Sequence, residues 1–307
     1  MSPLETALAD YLGLRRALGH KLDDAGRYLA RFVVFLDDQG EEAVTIQLAL
    51  TFALDPEIDP AGSVPARRFS AVRGFARYLA GSDPRTQIPP AGLVNYRARR
   101  RTPYLFSDAD VAAVADAAGA STPFPLRKAT LTTLIGLLAA TGMRVGEALR
   151  LDRHEIDFDD AVILIRNTKF TKGRNVPVSG TTIEALAAYA RLRDQTRPAT
   201  GRFFTSLRGT PLAYSHFAAS FRSALAVSGV GTDSPVRPHV HDLRHAFAVR
   251  TLVGWYRAGL DVEALLPRLS TYLGHREPRF TYHYLTATPE LLGHAAARLE
   301  ANQKALP

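Results

Sequence analysis

The 307-residue chain contains no cysteine. That absence removes disulfides, thiolate metal sites and cysteine nucleophiles together. Also missing is any apolar run approaching the roughly 20 residues that span a bilayer. The opening MSPLETALADYLGLRRALGH carries acidic residues early and no long apolar core, so it does not read as a signal peptide. The expectation is a cytoplasmic protein with no membrane partner. Negative charge is in short supply: 30 Asp+Glu face 38 Lys+Arg, a net +8. Such a balance favours a polyanionic partner, usually nucleic acid. Arginine far outnumbers lysine, and its planar fork suits phosphate or guanine. GC-rich coding also enriches arginine, so position along the chain must decide.

At 46% hydrophobic, the chain can fill two cores. Residues 3–18 read as an amphipathic helix with Leu4, Leu8, Tyr11, Leu12 and Leu18 at helical spacing, and residues 22–38 as a second with Leu22, Leu29, Phe32, Val33 and Leu36. Thr45 is placed to cap a third. Residues 66–81 present Phe69, Val72, Phe75, Tyr78 and Leu79 as a core face, leaving Arg67, Arg68, Arg73 and Arg77 as a basic polar face. Then Pro84, Pro89 and Pro90 interrupt the helical pattern. Arg97, Arg99, Arg100 and Arg101 follow, flanked by Tyr96 and Tyr104. This basic stretch reads as a phosphate-tracking strap, with a solvated linker as the bland alternative.

A second domain begins near Ser107, where SDAD offers an N-cap. Residues 161–166 and 174–178, separated by NTKFTKG, signal a hairpin, and the remainder reads as mostly helical. The expected fold class is mainly α with a small antiparallel β-sheet (α+β).

Five places in this domain carry polar groups in apolar or tightly punctuated surroundings. Arg144 follows Thr141-Gly142 at a helix start, with Glu147 one turn on to orient it. Lys169 and Lys172 sit in the hairpin turn. PHVHDLRHAFAVRT holds His239, His241, Asp242, Arg244 and His245. His241 and His245, four apart, share a helix face as in H-E-x-x-H zinc sites. Against zinc stand Arg244, a fixed cation between them, and the lack of a carboxylate ligand at motif spacing. STYLGHREP ends a helix at Leu273-Gly274 and presents His275, and RFTYHYLTATPELL offers Tyr282 and Tyr284.

Taken in order, these elements (Arg, Lys, His-x-x-Arg, Leu-Gly-His, Tyr) resemble the tyrosine recombinases, the phage-integrase-like family of DNA strand exchangers. The resemblance covers about residues 104–300. It implies a helical core-binding (SAM-like) DNA-binding domain over 1–85, a basic linker over 86–103 and a catalytic domain over 104–307. It implies catalytic roles for Arg144, Lys169, His241, Arg244, His275 and Tyr284, with Lys172 and Tyr282 as rivals for the lysine and the nucleophile. Glu147 and Asp242 are expected to support these groups. Arg67, Arg68, Arg73, Arg77, Arg97, Arg99, Arg100, Arg101, Lys172 and Arg174 are expected on DNA. No metal and no cofactor are implied. The implied partner is double-stranded DNA with inverted-repeat core sites, bound by a homo-tetramer that is monomeric when free, with further recombinases from the same element as possible partners. Nucleoid association follows. The ending TYHYLTATPEL looks like the branch carried by transposons and integrative elements. A type IB topoisomerase-like nicking-closing enzyme and a non-catalytic accessory subunit are the alternatives.

Overall fold

The computed structural model describes residues 2–94, 102–166, 173–196, 200–275, 277, 279–286 and 293. The chain divides into two compact units, residues 1–100 and 101–307.

The first unit is four helices, α1 (Pro3–Ala17), α2 (Asp23–Asp38), α3 (Ile46–Ala53) and α4 (Val64–Leu79). Local chemistry sets the starts. Ser2 and Glu5 form a capping box on α1, and the Thr45 hydroxyl accepts the Leu48 N–H at 3.2 Å on α3. Leu29, Phe32, Val33 and Leu36, spaced three, one and three apart, are buried along α2. They join Phe52, Phe69, Val72 and Phe75 in one core, each such side chain contributing about 1.5–3 kcal/mol. Leu18 departs from its expected place: it caps α1 beyond the last turn and is 66% exposed. Residues 86–90, expected in a linker, are tied into this unit. Gln87 N–H donates to Val44 O at 2.8 Å, and Arg73 Nε donates to Pro89 O at 2.9 Å.

The second unit carries α5 (Asp108–Ala120), α6 (Pro125–Thr141) and α7 (Val145–Arg150). Strands β1 (Ile156–Asp157), β2 (Val162–Ile165) and β3 (Arg174–Pro177) follow, then α8 (Gly180–Gln195), α9 (Tyr214–Ser228), α10 (Asp242–Arg257), α11 (Val262–Leu273) and the short α12 (Arg279–Tyr282). A 3-10 turn over His283–Thr286 completes the described elements there. The sheet is antiparallel in the order β1-β2-β3, with Val162 opposite Pro177 and Ile165 opposite Arg174. The hairpin was legible; the two-residue β1 was not. Ser107 caps α5 in a box with Asp110. A large core runs from Phe106 through α6, α8 and α9 to Ala246, and a smaller one gathers Ala248, Leu252, Leu266, Leu273 and Tyr284. Among the described residues, no helix is long and apolar enough to cross a membrane.

Candidate active site

The site forms where the ends of α6 and α11 meet the starts of α7 and α10. Helix α6 stops at Gly142, whose φ of 59° lies in the left-handed region. A Cβ there would come within 2.5 Å of the Phe247 ring. The tight turn delivers Arg144 to the N-cap of α7. Glu147, one turn on, accepts the Arg144 backbone N–H at 3.0 Å on one oxygen and Arg144 Nη1 at 2.9 Å on the other. Arg144 Nη2 donates to Gly274 O at 2.9 Å, and its side chain remains 40% exposed.

Arg244, in the first turn of α10, is 3% exposed. It donates to Gly142 O at 2.7 Å and Leu273 O at 2.8 Å, so one guanidinium joins the two helix ends. Burial drops its pKa to about 10, with the facing Tyr284 oxygen acting in the opposite direction. His241 is the N-cap of α10, and Asp242 accepts the His239 N–H at 2.9 Å, closing the turn before the helix.

Gly274, with φ 69°, ends α11 and turns the chain so that His275 faces the site. His275 Nδ1 lies 2.8 Å from Thr281 Oγ1. Tyr284 is 1% exposed. Its ring sits 6.1 Å from that of His275, nearly parallel, and 5.4 Å from that of His245, which in turn meets His241 edge-on at 4.9 Å. Burial pushes the Tyr284 phenol above its ordinary value, while Arg244, which donates a hydrogen bond to it, and Arg144 pull the other way. Tyr282 is 49% exposed.

The structure thus brings Arg144, Glu147, His241, Arg244, His275 and Tyr284 into one constellation. Lys169, Lys172, Arg97, Arg99, Arg100 and Arg101 lie outside the described residues. Two expectations for DNA contact are corrected. Arg68 is 6% exposed, donates to Phe52 O at 3.0 Å and Asp55 Oδ2 at 3.2 Å, and stacks over the Phe52 ring. It is a core residue of the first unit. Arg174 is 9% exposed and points inward, donating to both Glu147 oxygens at 3.1 and 2.8 Å and to Tyr272 O at 2.8 Å. Arg73 is half-buried on Pro89 O, whereas Arg67 and Arg77 are exposed.

Sequence reading missed the structural part of Arg174, and Thr281 as partner of His275. Strand alternation carried the first signal, because Arg174 shares a face with Val176, which is 1% exposed. Burial pushes the Glu147 carboxyl up, but the hydrogen bonds and charge of Arg174, then Arg144, prevail and hold its pKa at about 2. Among the described residues, the grouping able to converge on a metal is Asp152, His154 and Glu155. Two of its members are already engaged, Asp152 with Arg202 at 3.1 Å and Glu155 with the Asp152 N–H at 2.8 Å. His239, His241 and His245 do not form such a grouping.

The phage integrase family model matches residues 109–290. The chain is 42% identical over 309 residues to the integrase/recombinase y4rB of Sinorhizobium fredii, covering 98% of each. It is 30% identical to tyrosine recombinase XerD of Chlorobaculum tepidum, covering 82% of this chain and 83% of that one. Lambda integrase, solved as a tetramer bound to a Holliday junction, shares the fold with a TM-score of 0.64 at 17% identity, over 92% of this chain and 76% of that one.

Proposed function

This chain belongs to the phage integrase family and is a tyrosine-type site-specific DNA recombinase, and we propose that Tyr284 is the nucleophile with which it cleaves and rejoins DNA. The Tyr284 oxygen bonds to the scissile phosphorus, the P–O5′ bond breaks, and a 3′-phosphotyrosyl link and a free 5′-hydroxyl result. The bond energy stays in the adduct, so rejoining needs no outside energy source. His241 takes the phenol proton and Lys169 protonates the departing 5′-oxygen. Arg144 and Arg244 meet the charge that builds on the non-bridging oxygens, and His275 donates a further hydrogen bond there.

The observation that carries this reading is the seat of Tyr284, hydrogen-bonded by Arg244 and flanked by the rings of His245 and His275. Tyr282, by contrast, is 49% exposed, whereas Tyr284 is 1% exposed. The partner is double-stranded DNA with inverted-repeat core sites, exchanged within a tetramer that assembles from free monomers. The first unit serves as the core-binding module, with the exposed Arg67 and Arg77 on phosphate. Lys172 and the arginines at 97, 99, 100 and 101 extend that contact. Nucleoid association and service to a mobile element, alone or with partner recombinases, belong to the same reading.

A nicked suicide substrate tests it. Tyr284→Phe should bind DNA as the wild type does and form no covalent adduct, and an adduct persisting in that variant moves the nucleophile to Tyr282. Adduct formation should also proceed unchanged in excess EDTA.

A further inference from the structure

We infer that Arg174 is a positioning residue for the phosphate clamp, holding Glu147 so that the charge of Arg144 stays available to DNA. This rests on the reading of Arg144 given above. Each Glu147 oxygen is shared by the same two arginines. Oε1 accepts Arg144 Nη1 at 2.9 Å and Arg174 Nη1 at 3.1 Å, while Oε2 accepts the Arg144 N–H at 3.0 Å and Arg174 Nη2 at 2.8 Å. One buried carboxylate therefore faces two guanidinium groups. Arg174 is 9% exposed and Arg144 40%, so the inner arginine balances Glu147 and the outer one keeps its cation toward the open side. If Arg174 were absent, Glu147 would neutralise Arg144 itself, and a guanidinium paired to a carboxylate is a weaker partner for a phosphate oxygen.

Arg174 acts on a second part of the site. Its Nε donates to Tyr272 O at 2.8 Å, two residues before Gly274, whose carbonyl accepts Arg144 Nη2 at 2.9 Å. The approach is close enough that a Cβ on Gly274 would lie 2.6 Å from Arg174 Nη1. The glycine before His275 is thus required twice, for its positive φ and for the space the guanidinium occupies. Through these contacts β3 fixes the carboxylate that aims Arg144 and the turn that presents His275. Removing the fork while keeping a cation, as in Arg174→Lys, loses the bidentate grip.

The test uses the full chain, a nicked suicide duplex, and the same duplex with a methylphosphonate at the scissile position, which is neutral and leaves less charge for the clamp to meet. Arg174→Lys should form adduct about 10- to 100-fold more slowly than wild type on the phosphate substrate. Arg174→Met, which leaves the Glu147 carboxylate to Arg144 alone, should be slower still. DNA affinity by gel shift should stay within about 3-fold, because no phosphate contact is removed. On the methylphosphonate, the deficit of Arg174→Lys relative to wild type should shrink to about 3-fold or less. An equal deficit on both substrates makes the role one of general stability and overturns the inference, as does wild-type cleavage by both variants. A loss of DNA affinity as large as the loss of rate overturns it too, by making Arg174 a DNA contact. If Arg174→Met fails to fold, Arg174→Lys carries the comparison alone. Adduct formation by Tyr284→Phe would instead bring down the underlying assignment.

Discussion

Arg68 in the first unit and Arg244 in the second are both nearly buried, at 6% and 3% exposure, yet their surroundings differ in kind. Arg68 is matched by Asp55, a backbone carbonyl and the face of Phe52. Arg244 is held by two helix-end carbonyls and faces a tyrosine oxygen, and burial pushes its pKa down to about 10. A buried cation answered by a carboxylate and an aromatic ring serves packing. One oriented by carbonyls, kept charged at a cost to stability, has the environment that the proposed phosphate clamp requires.

Replacing each arginine by methionine sharpens that contrast. Arg244→Met should slow adduct formation about 10²–10³-fold, the loss typical of one preorganised donor. Its thermal midpoint should change little, because relief of a costly buried charge offsets the two helix-end carbonyl bonds that are lost. Arg68→Met should lower the stability of the first unit by about 1–3 kcal/mol through the lost carbonyl bond and ring contact, with the single-turnover rate on bound DNA unchanged. Thermal melts and suicide-substrate kinetics on both variants read the two columns. If Arg244→Met melted early and Arg68→Met cleaved slowly, the assignment of roles would be reversed.

One acid from each unit, Glu147 held by Arg144 and Arg174 and Asp55 paired to Arg68, extends the comparison. Glu147 is 5% exposed with its pKa held at about 2. A depressed carboxylate stabilises the fold fully above its unfolded pKa near 4.5, and that stability is lost as pH falls through the folded value. The window for the second unit is therefore between about pH 4.5 and 2, worth on the order of 3 kcal/mol. Asp55, paired to Arg68, is also shifted down, first by the Glu57 backbone N–H and then by Arg68, but its side chain is only partly buried. Acid titration of the melting curve should show a steep loss in that window for wild type and a flattened one for Glu147→Gln. A titration insensitive to Glu147→Gln would remove the charge-sharing picture of Glu147.

How far these distinctions could be read from sequence depends on the residue. The caps at Thr45 and Ser107 were legible because their hydroxyls precede apolar periodic runs, and both hydroxyls accept the expected N–H. Arg68 was legible in principle. It lies four residues before Val72 and so on the same helix face as Val72, Phe75 and Leu79, all buried. Charge outweighed spacing in assigning it to DNA. Arg174 was misassigned in the same way, since strand alternation puts it beside Val176. Four of the five motif elements, all but the lysine, which lies outside the described residues, meet in the constellation. That Arg244 would reach Leu273 O, 29 residues away, or that Thr281 would meet His275, depends on tertiary packing that no local pattern encodes.

The smallest contrast is in the backbone. Among the described residues, each unit holds one non-glycine residue in the left-handed region, Leu22 before α2 and Ala161 in the turn from β1 to β2, both at φ 53°. A Cβ in that region costs about 1–2 kcal/mol, and glycine removes the clash at an entropic cost of roughly 0.5–1 kcal/mol. Ala161 gives up only a methyl group on replacement, so Ala161→Gly should stabilise the second unit by about 0.5–1 kcal/mol. Leu22 is half-buried, and losing its side chain cancels the gain, so Leu22→Gly should be neutral or slightly destabilising. Denaturant midpoints of the two variants decide the matter. A stabilised Leu22→Gly would mean that its side chain contributes nothing to the entry of α2, and a destabilised Ala161→Gly would mean that the hairpin turn depends on alanine's restricted unfolded state more than on its folded geometry.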